Sequence, residues 1–253
     1  MASSMDDTSL ATHHGDYGYD APYALLGFTA VAALALGVAV VSVLTHQPRA
    51  ARLALVYFAF FAFNGASFFY TTRWGKFTVW ARLIGAMAWR GDERVLDLGC
   101  GRGALLTMIA RRLTTGTVTG LDLWTTNDQS GLSERACREN AVREGVSERV
   151  SLQTGDMQAL PFSDASFDHV FSSLAIHNIP TAVGRARAIE HAVRVLAPGG
   201  RLVIADIRRT GAYARELRKL GMLDVATRRL GWRFWYGNPI AATSLVTARK
   251  PAA

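Results

Sequence analysis

The feature that most constrains this chain of 253 residues is a glycine-rich turn near its middle, between a predicted strand and a predicted helix. An apolar run contains Asp97 at its end, and Gly99, Gly101 and Gly103 follow at alternate positions. Glycine lets the backbone approach a ligand where a side chain would block it. The helix start that follows supplies unpaired N–H groups, which favour a negative group. The turn therefore predicts a nucleotide-type ligand site.

The glycine spacing is also compatible with a dinucleotide site, because Asp122 lies at about the distance expected for a ribose-binding acid. Asp97 distinguishes the two interpretations. A carboxylate at this position would repel a pyrophosphate, but it suits a ligand with an ammonium group beside its own carboxylate. S-adenosylmethionine (SAM) has such an amino-acid end and a sulfonium. The turn resembles the first motif of the class I SAM-dependent methyltransferases, an acid followed by three alternating glycines.

The resemblance continues downstream, over about residues 92–250. Asp122 ends a second apolar strand, where a carboxylate can accept both ribose hydroxyls. In the family, an acid in the position of Asp156 holds the adenine amino group, and the residue after it packs on the ring. A fourth strand ends near Ser173, and a Pro-Gly-Gly turn leads into a fifth. The resemblance implies SAM as cofactor, bound by Asp97, Gly99, Cys100, Gly101, Gly103, Asp122, Leu123, Asp156, Met157 and Ser173.

Strand and helix patterns alternate from residue 92 onward, which implies a parallel sheet wrapped by helices on both faces. We predict strands near 94–98, 117–121, 149–153, 167–172, 201–206, 223–227 and 242–249, and helices near 104–113, 131–144, 182–196 and 212–220. The resemblance implies a seven-stranded, mostly parallel Rossmann-like methyltransferase sheet whose last strand is antiparallel. The ligand is expected beyond the carboxyl ends of the strands.

The front of the chain predicts a membrane anchor. Residues 1–22 are expected to be disordered, and residues 23–72 to form a transmembrane helical hairpin. Its first helix, 23–44, has no charged residue and would span roughly 33 Å, enough for a bilayer core. Its second helix, 53–72, is uncharged and rich in aromatic residues, and it either spans the bilayer or lies against the membrane or the catalytic domain. Residues 46–52 read as the turn. The alternatives for the first helix are a buried helix or a signal peptide, although no Lys or Arg precedes it.

Residues 73–91 form an amphipathic linker. It is either an interfacial helix with aromatic anchors or the helix that often precedes the first strand in this family and covers the SAM site. We favour the covering helix, and the two interpretations are compatible.

Charge is distributed unevenly. The first 72 residues carry two basic and four acidic side chains, whereas the remainder carries 26 and 16, a net charge of +10. A basic face could meet anionic lipid or nucleic acid, or it could be an ordinary solvated surface. SAM is made in the cytosol, so we expect a membrane protein with two spans and a cytoplasmic catalytic domain. The flanking basic residues agree weakly with this topology: Arg73, Lys76, Arg82 and Arg90 inside, Arg49 and Arg52 outside.

Methyl transfer from a sulfonium is a direct displacement, which needs alignment, exclusion of water and, for a weak nucleophile, removal of a proton. His177 follows the fourth strand and is the candidate catalytic base. The alternative is a structural histidine. Trp124 either covers the adenine or packs below the loop, and Asp128 is expected to be a loop acid. Four aromatic residues wall an acceptor pocket or belong to the core: Trp232, Phe234, Trp235 and Tyr236. No metal is predicted, because no histidine or cysteine has a suitably spaced partner.

The sequence thus favours a membrane-anchored methyltransferase for a small lipophilic acceptor, with the bilayer as its other partner. Three alternatives remain. Positive charge alone suggests an RNA or protein acceptor, but no added RNA-binding module is visible. A nicotinamide oxidoreductase would use the same glycines, yet Asp97 and Asp156 oppose it. A catalytically inactive SAM-binding membrane adaptor would keep the cofactor site and lose the acceptor pocket.

Overall fold

The fold is known from a computed structural model, which describes residues 7–125 and 129–252. A seven-stranded sheet forms its centre, with strand order β3-β2-β1-β4-β5-β7-β6. The first five strands are mutually parallel, and β7 lies antiparallel between β5 and β6. The strands are β1 (Arg94–Leu98), β2 (Thr117–Asp122), β3 (Val150–Thr154), β4 (Phe167–Ser173), β5 (Leu196–Asp206), β6 (Leu223–Arg229) and β7 (Ser244–Arg249).

Helices cover both faces of this sheet, which separates two apolar clusters. The predicted seven-stranded, mostly parallel Rossmann-like sheet with an antiparallel last strand is confirmed. Alternating strands and helices bury both faces of such a sheet. The helices are α1 (Asp7–Ala11), α2 (Pro22–Leu44), α3 (Pro48–Tyr70), α4 (Lys76–Gly85), α5 (Ala104–Ala110), α6 (Glu134–Arg143), α7 (Ala182–Val195) and α8 (Thr210–Lys219).

Strand order reverses between β1 and β4, because the chain runs outward to β3 and then returns. The carboxyl ends of β1, β2 and β4 therefore surround a crevice, which is where ligands bind in open α/β sheets. β5 begins at residue 196, earlier than predicted. Its pairing with β4 is irregular, and the Pro-Gly-Gly turn lies within this irregular stretch.

The apolar helices α2 and α3 pack against each other as an antiparallel pair. Each has 23 residues, about 34 Å of helix, and most of their large side chains point outward. Both are long and apolar enough to cross a membrane, a criterion that some soluble core helices and signal sequences also meet. Their buried contact is made mainly by small residues, which lets two helices approach closely.

Two boundaries at the hairpin differ from the sequence prediction. The connection is only three residues long, and α3 begins at Pro48 rather than residue 53. Proline is well suited to the first turn of a helix, because the N–H that it lacks would be unpaired there. At its other end, α3 continues through a π-helical turn, Thr71–Gly75, directly into α4. The predicted second span and the first part of the linker are therefore one continuous helix.

The prediction of a disordered N-terminus is wrong for residues 7–21, which we call the strap. The strap lies across the catalytic domain, and Leu10 and Tyr17 are buried in its apolar cluster. The Tyr17 hydroxyl lies 2.7 Å from the Thr107 hydroxyl, and the Asp16 amide donates to Asn140 at 2.8 Å. These contacts join residues far apart in the sequence, so the local pattern of the strap gave no sign of them.

Candidate active site

The glycine turn fits tightly against its neighbours. Gly99, Gly101 and Gly103 all adopt positive φ angles, of 72°, 54° and 85°. A Cβ atom on Gly101 would collide with the Gln129 side-chain oxygen, and one on Gly99 would collide with Ala175. The backbone conformation and the close neighbours both exclude larger residues at these two positions.

One cavity of about 520 Å³ begins at this turn and extends to the apolar helices. At one end it is lined by three carboxylates, from Asp97, Asp122 and Asp156. At the other end it is lined by Ala24 and Phe28 of α2 and by Phe68 of α3. Each of the predicted cofactor residues lines this cavity except Gly103, which lies behind the turn at the start of α5.

Asp97 is the most unusual group in the cavity. It is 1% exposed, and neither of its carboxylate oxygens has a hydrogen-bond partner among the described residues. Burial raises the pKa of Asp97 to about 8, with a smaller contribution from the nearby Asp122 carboxylate. A buried, unpaired carboxylate is costly, so its presence indicates that a cationic or donor group of a ligand completes the site.

Asp122 is held firmly in place at the end of β2. One of its oxygens accepts the Gly101 amide and the other accepts the Trp124 amide, both at 2.9 Å. These bonds fix the carboxylate against the glycine turn, and the second lone pair of each oxygen is left for a ligand. Trp124 does not line the cavity; its indole N–H donates to Thr154 at 3.0 Å. Asn127 and Asp128 lie outside the described residues.

Asp156, after β3, is oriented by its own local turn. The backbone amide of Gln158 donates to one carboxylate oxygen at 2.8 Å, and the Gln158 side chain contacts both. Met157 lies next to it, and its methyl group comes within 3.4 Å of where a Cβ on Gly99 would lie. Leu123, Cys100 and Ser173 complete the predicted residues on this part of the wall.

His177 forms a pair with a buried acid. Its Nδ1 atom lies 2.7 Å from a carboxylate oxygen of Asp206, at the end of β5. The contact is not aligned as a linear hydrogen bond, which is common at catalytic histidines before substrate binds. Asp206 is fully buried and also accepts the His177 and Ile207 amides and the Tyr213 hydroxyl. Burial, and then the Asp206 charge, raise the pKa of Tyr213, so this hydroxyl stays a donor.

This contact orients the imidazole. With Nδ1 facing the Asp206 carboxylate, Nε2 is the ring nitrogen available to a ligand in the cavity. The sequence had indicated His177 but not its partner. The only available signal was an acid at the end of an apolar strand, and many strands in this fold end in one.

A buried ion pair forms part of the cavity wall. Lys76 of α4 contacts both oxygens of Asp20 at 2.8 and 2.9 Å, and both side chains are nearly buried. The same carboxylate accepts the Tyr236 hydroxyl at 2.8 Å and the Gln129 amide at 3.1 Å. Gln129 in turn accepts the Arg102 amide of the glycine turn. This network, which sequence reasoning missed, unites segments up to 216 residues apart.

The end of the cavity next to the apolar helices, which we call the acceptor end, is mostly apolar. Trp80 of α4 reaches into it and donates its indole N–H to Ser173 at 3.1 Å, so α4 does lie over the site. Of the four C-terminal aromatic residues that were considered for this wall, only Tyr236 lines the cavity. Phe234 is buried in the core, and Trp232 is half exposed and stacks on Tyr70.

Part of the chain is similar to known methyltransferases. The model of a methyltransferase domain family matches residues 96–204. The 27-O-demethylrifamycin SV methyltransferase of Amycolatopsis mediterranei is 37% identical over 128 residues, which is 49% of this chain and 42% of that protein. The chloroplastic 2-phytyl-1,4-beta-naphthoquinone methyltransferase of Arabidopsis thaliana is 30% identical over 154 residues, 59% of this chain and 56% of that protein.

The chain thus spans about half the length of the curated relatives it matches. Among solved structures, the cyclase SpnF superimposes with a TM-score of 0.56 at 21% identity, covering 71% of this chain and 84% of that one. At this identity the likeness shows the shared fold alone.

Proposed function

We propose that this chain is a class I SAM-dependent methyltransferase and that it methylates a small lipophilic acceptor drawn from a membrane that α2 and α3 span. One observation carries the proposal. The cavity that begins at the glycine turn and its carboxylates is walled at its far end by residues of both apolar helices. A hairpin that served only as a tether would have no reason to form part of the site.

SAM fits the carboxylate end of this cavity. The orphaned Asp97 carboxylate suits its ammonium group, Asp122 its ribose hydroxyls, and Asp156 the adenine amino group. The glycine turn brings the backbone close enough to hold the rest of the amino-acid end, and Cys100, Leu123, Met157 and Ser173 complete the walls. Gly103 contributes through the conformation of the turn. When bound, SAM supplies an electrophilic methyl group on its sulfonium.

His177 acts as the general base, oriented by Asp206. Nε2 of His177 would take the proton that the acceptor loses when it is methylated, and the Asp206 carboxylate would stabilise the imidazolium. This suits an acceptor hydroxyl, or a ring carbon made nucleophilic by the loss of a hydroxyl proton. The named substrates of the two relatives agree with this class, since one is an O-methylation target and the other a naphthoquinone.

The apolar walls supply the remaining requirements. Phe28, Phe68 and Trp80 exclude water from the acceptor. The attacking nucleophile is therefore not stabilised by a shell of water. The total volume is typical of a small-molecule site and is shared by cofactor and acceptor. This volume matches a small molecule rather than a folded RNA or protein surface, so the cavity favours a small acceptor.

The membrane placement rests on the hairpin. The outward side chains of α2 and α3 are almost all apolar, and a bilayer is the environment in which such a surface is stable. With two spans, both ends of the hairpin lie on one side, together with the catalytic domain. We place that side in the cytoplasm, where SAM is made, in agreement with the basic residues that follow α3.

His177→Ala tests the chemistry. With native membranes and radiolabelled SAM, transfer of label into the lipid extract should fall by roughly 10²–10⁴-fold, while SAM affinity and melting temperature stay near those of the wild type. His191→Ala is the matched control, because His191 lies on α7 outside the cavity and should retain full transfer.

Two results would contradict the assignment of His177. Undiminished transfer would mean that the acceptor ionises without a base, as a thiol can. Loss of SAM affinity or of thermal stability would mean that His177 is structural. If wild-type protein transferred label to protein or RNA instead of lipid, the proposed acceptor class would be wrong. An RNA or protein acceptor would then be favoured.

A further inference from the structure

Residues 231–241, which we call the docking loop, make contacts with the hairpin that a water-exposed loop would not need. The side chain of Asn238 donates to the side chain of Asn64, on α3, at 2.7 Å. Asn64 is 1% exposed and also donates to the carbonyl of Phe60. Asn64 is therefore a polar residue inside an apolar helix, and the docking loop satisfies its remaining oxygen. Polar groups within spanning helices usually mark a functional contact.

The contact is close enough to fix the depth of the loop. A Cβ on Gly237 would lie 2.9 Å from the Asn64 oxygen and 3.5 Å from Phe28, so the loop backbone rests directly on both helices. Asn64 precedes the end of α3, Tyr70, by six residues, which is about 9 Å along the helix axis. The tip of the docking loop, at the level of Asn64, therefore lies closer to the α2–α3 turn than the end of α3 does.

The tip itself is apolar and unprotected. Ile240 is 95% exposed, the highest value among the large apolar side chains of the described residues. Phe60 and Phe63 of α3, at a similar level, are also more than half exposed. A large aliphatic side chain held at this depth, among outward-facing phenylalanines, is stable in lipid and costly in water.

Aromatic rings and guanidinium groups surround the end of α3, above that level. Trp232 stacks on Tyr70 at 5.3 Å, and Trp74 contacts Phe69 edge-on at 5.6 Å. Arg233 lies 4.5 Å above the Trp232 ring. Half-exposed tryptophans with adjacent arginines are typical of the membrane–water interface, where the rings lie among the headgroups and the cations meet lipid phosphates.

From this placement we propose that the docking loop enters the leaflet and forms one side of a doorway between the bilayer and the cavity. Two of its residues, Tyr236 and Ala241, line the cavity beside Ala24, Phe28 and Phe68. A lipophilic acceptor can then pass from the leaflet past the loop to the site without crossing water. The inference rests on the proposed membrane span of α2 and α3 and adds the catalytic domain's own contact with lipid.

The test is a depth measurement on the full chain in phosphatidylcholine vesicles. Ile240→Cys is labelled with the environment-sensitive fluorophore NBD; Cys100 and Cys137 are both buried, and unsubstituted protein measures any label they take up. Leu223→Cys is the matched control, because Leu223 is also an exposed aliphatic residue but lies at the start of β6, whereas the docking loop follows the end of that strand. Quenchers are doxyl-labelled lipid for the bilayer and iodide for water.

We expect the label at 240 to be blue-shifted and quenched several-fold more by doxyl lipid than the label at 223, with the order reversed for iodide. If the protein stays in the membrane after a carbonate wash but iodide quenches the label equally at positions 240 and 223, the doorway proposal is wrong. The proposed membrane-spanning hairpin would be retained. If the full-length protein is not retained by vesicles at all, both the doorway and the proposed membrane acceptor fail.

Discussion

The two ends of the cavity are built on opposite principles. At the cofactor end, the sheet presents polar groups that the protein leaves incomplete, most clearly the unpaired and buried Asp97. At the acceptor end, the polar groups are completed internally: Asp20 is bound by Lys76, Tyr236 and Gln129, and the remaining walls are apolar. One end presents an unpaired buried carboxylate, whereas the other presents paired polar groups beside apolar walls.

This difference separates what the fold supplies from what this chain adds. The cofactor end comes from strand ends and one glycine turn, which belong to the shared sheet. The acceptor end comes from the strap, the hairpin, α4 and the docking loop, and the family match at residues 96–204 includes none of them. Specificity for an acceptor should therefore change with these additions, while cofactor binding should not.

The largest expected effect is at the cofactor end. Gly101→Val should abolish SAM binding, because Gly101 has a φ of 54° and a side chain would collide with Gln129. Gly145→Val is the control, since Gly145 also has a positive φ but no atom within 4 Å of a Cβ. Calorimetric titration should show binding for the control, at reduced stability. Normal SAM affinity in folded Gly101→Val protein would refute the role of the turn.

At the acceptor end, the large effect is on stability. Asp20→Ala leaves the Lys76 ammonium buried without its partner, and breaking a buried pair typically costs about 3–5 kcal/mol. The exposed Arg135–Glu139 pair provides the comparison, because Arg135→Ala should leave the melting temperature almost unchanged. Equal melting temperatures for Asp20→Ala and wild-type protein would show that the strap does not hold the cavity closed.

Asp122→Ala should weaken SAM binding by about 10–100-fold, because the ribose hydroxyls lose one charged hydrogen-bond acceptor. Asp164→Ala, at a carboxylate that is 77% exposed, serves as the control and should bind normally. If both variants bind SAM with equal affinity, the assignment of Asp122 to the ribose is wrong.

The smallest effect is a pH dependence that only the cofactor end should show. If ionised Asp97 pairs with the SAM ammonium, its pKa of about 8 means that binding must expel a proton. SAM affinity should then fall by about tenfold per unit from pH 7 to pH 5.5, and Asp97→Asn should bind weakly and without this slope. An equal slope in both proteins would assign the proton to another group.

For folding stability, the pH dependence due to the Asp97 carboxyl has the opposite sign to that of SAM affinity. Its pKa in the folded protein lies above the unfolded value of 3.8, so between the two the native state holds the extra proton. In protein purified without SAM, Asp97 should therefore lower stability as the pH rises from about 4 to 8. Asp97→Asn should raise the melting temperature at pH 7 while it weakens binding. A lower melting temperature would contradict the buried, unpaired state of this group.

The same division governs what could be predicted from the sequence. The strands, the glycine turn and the carboxylates at strand ends were predicted correctly, because each is encoded in a short stretch with its own periodicity. Asp20, Lys76, Gln129 and Tyr236 were not, because each looks ordinary locally and gains its meaning from partners in other segments. The strap was expected to be disordered for the same reason, since one buried leucine and one buried tyrosine anchor it.

His177 lies between these cases. Its position after β4 was visible in the sequence, but the acid that orients it comes from the end of β5, 29 residues later. Parallel strands placed side by side bring these two ends together. A pairing of this kind follows from sheet order, which a single sequence does not state.

The central claim is that one cavity joins a SAM site to a membrane-facing acceptor site. The most direct measurement supplies radiolabelled SAM to the full-length protein in native membranes and separates lipid extract, protein and RNA. We expect label in the lipid extract, lost with Gly101→Val and strongly reduced with His177→Ala. Label confined to protein or RNA, or lipid labelling that persists in both variants, would contradict it.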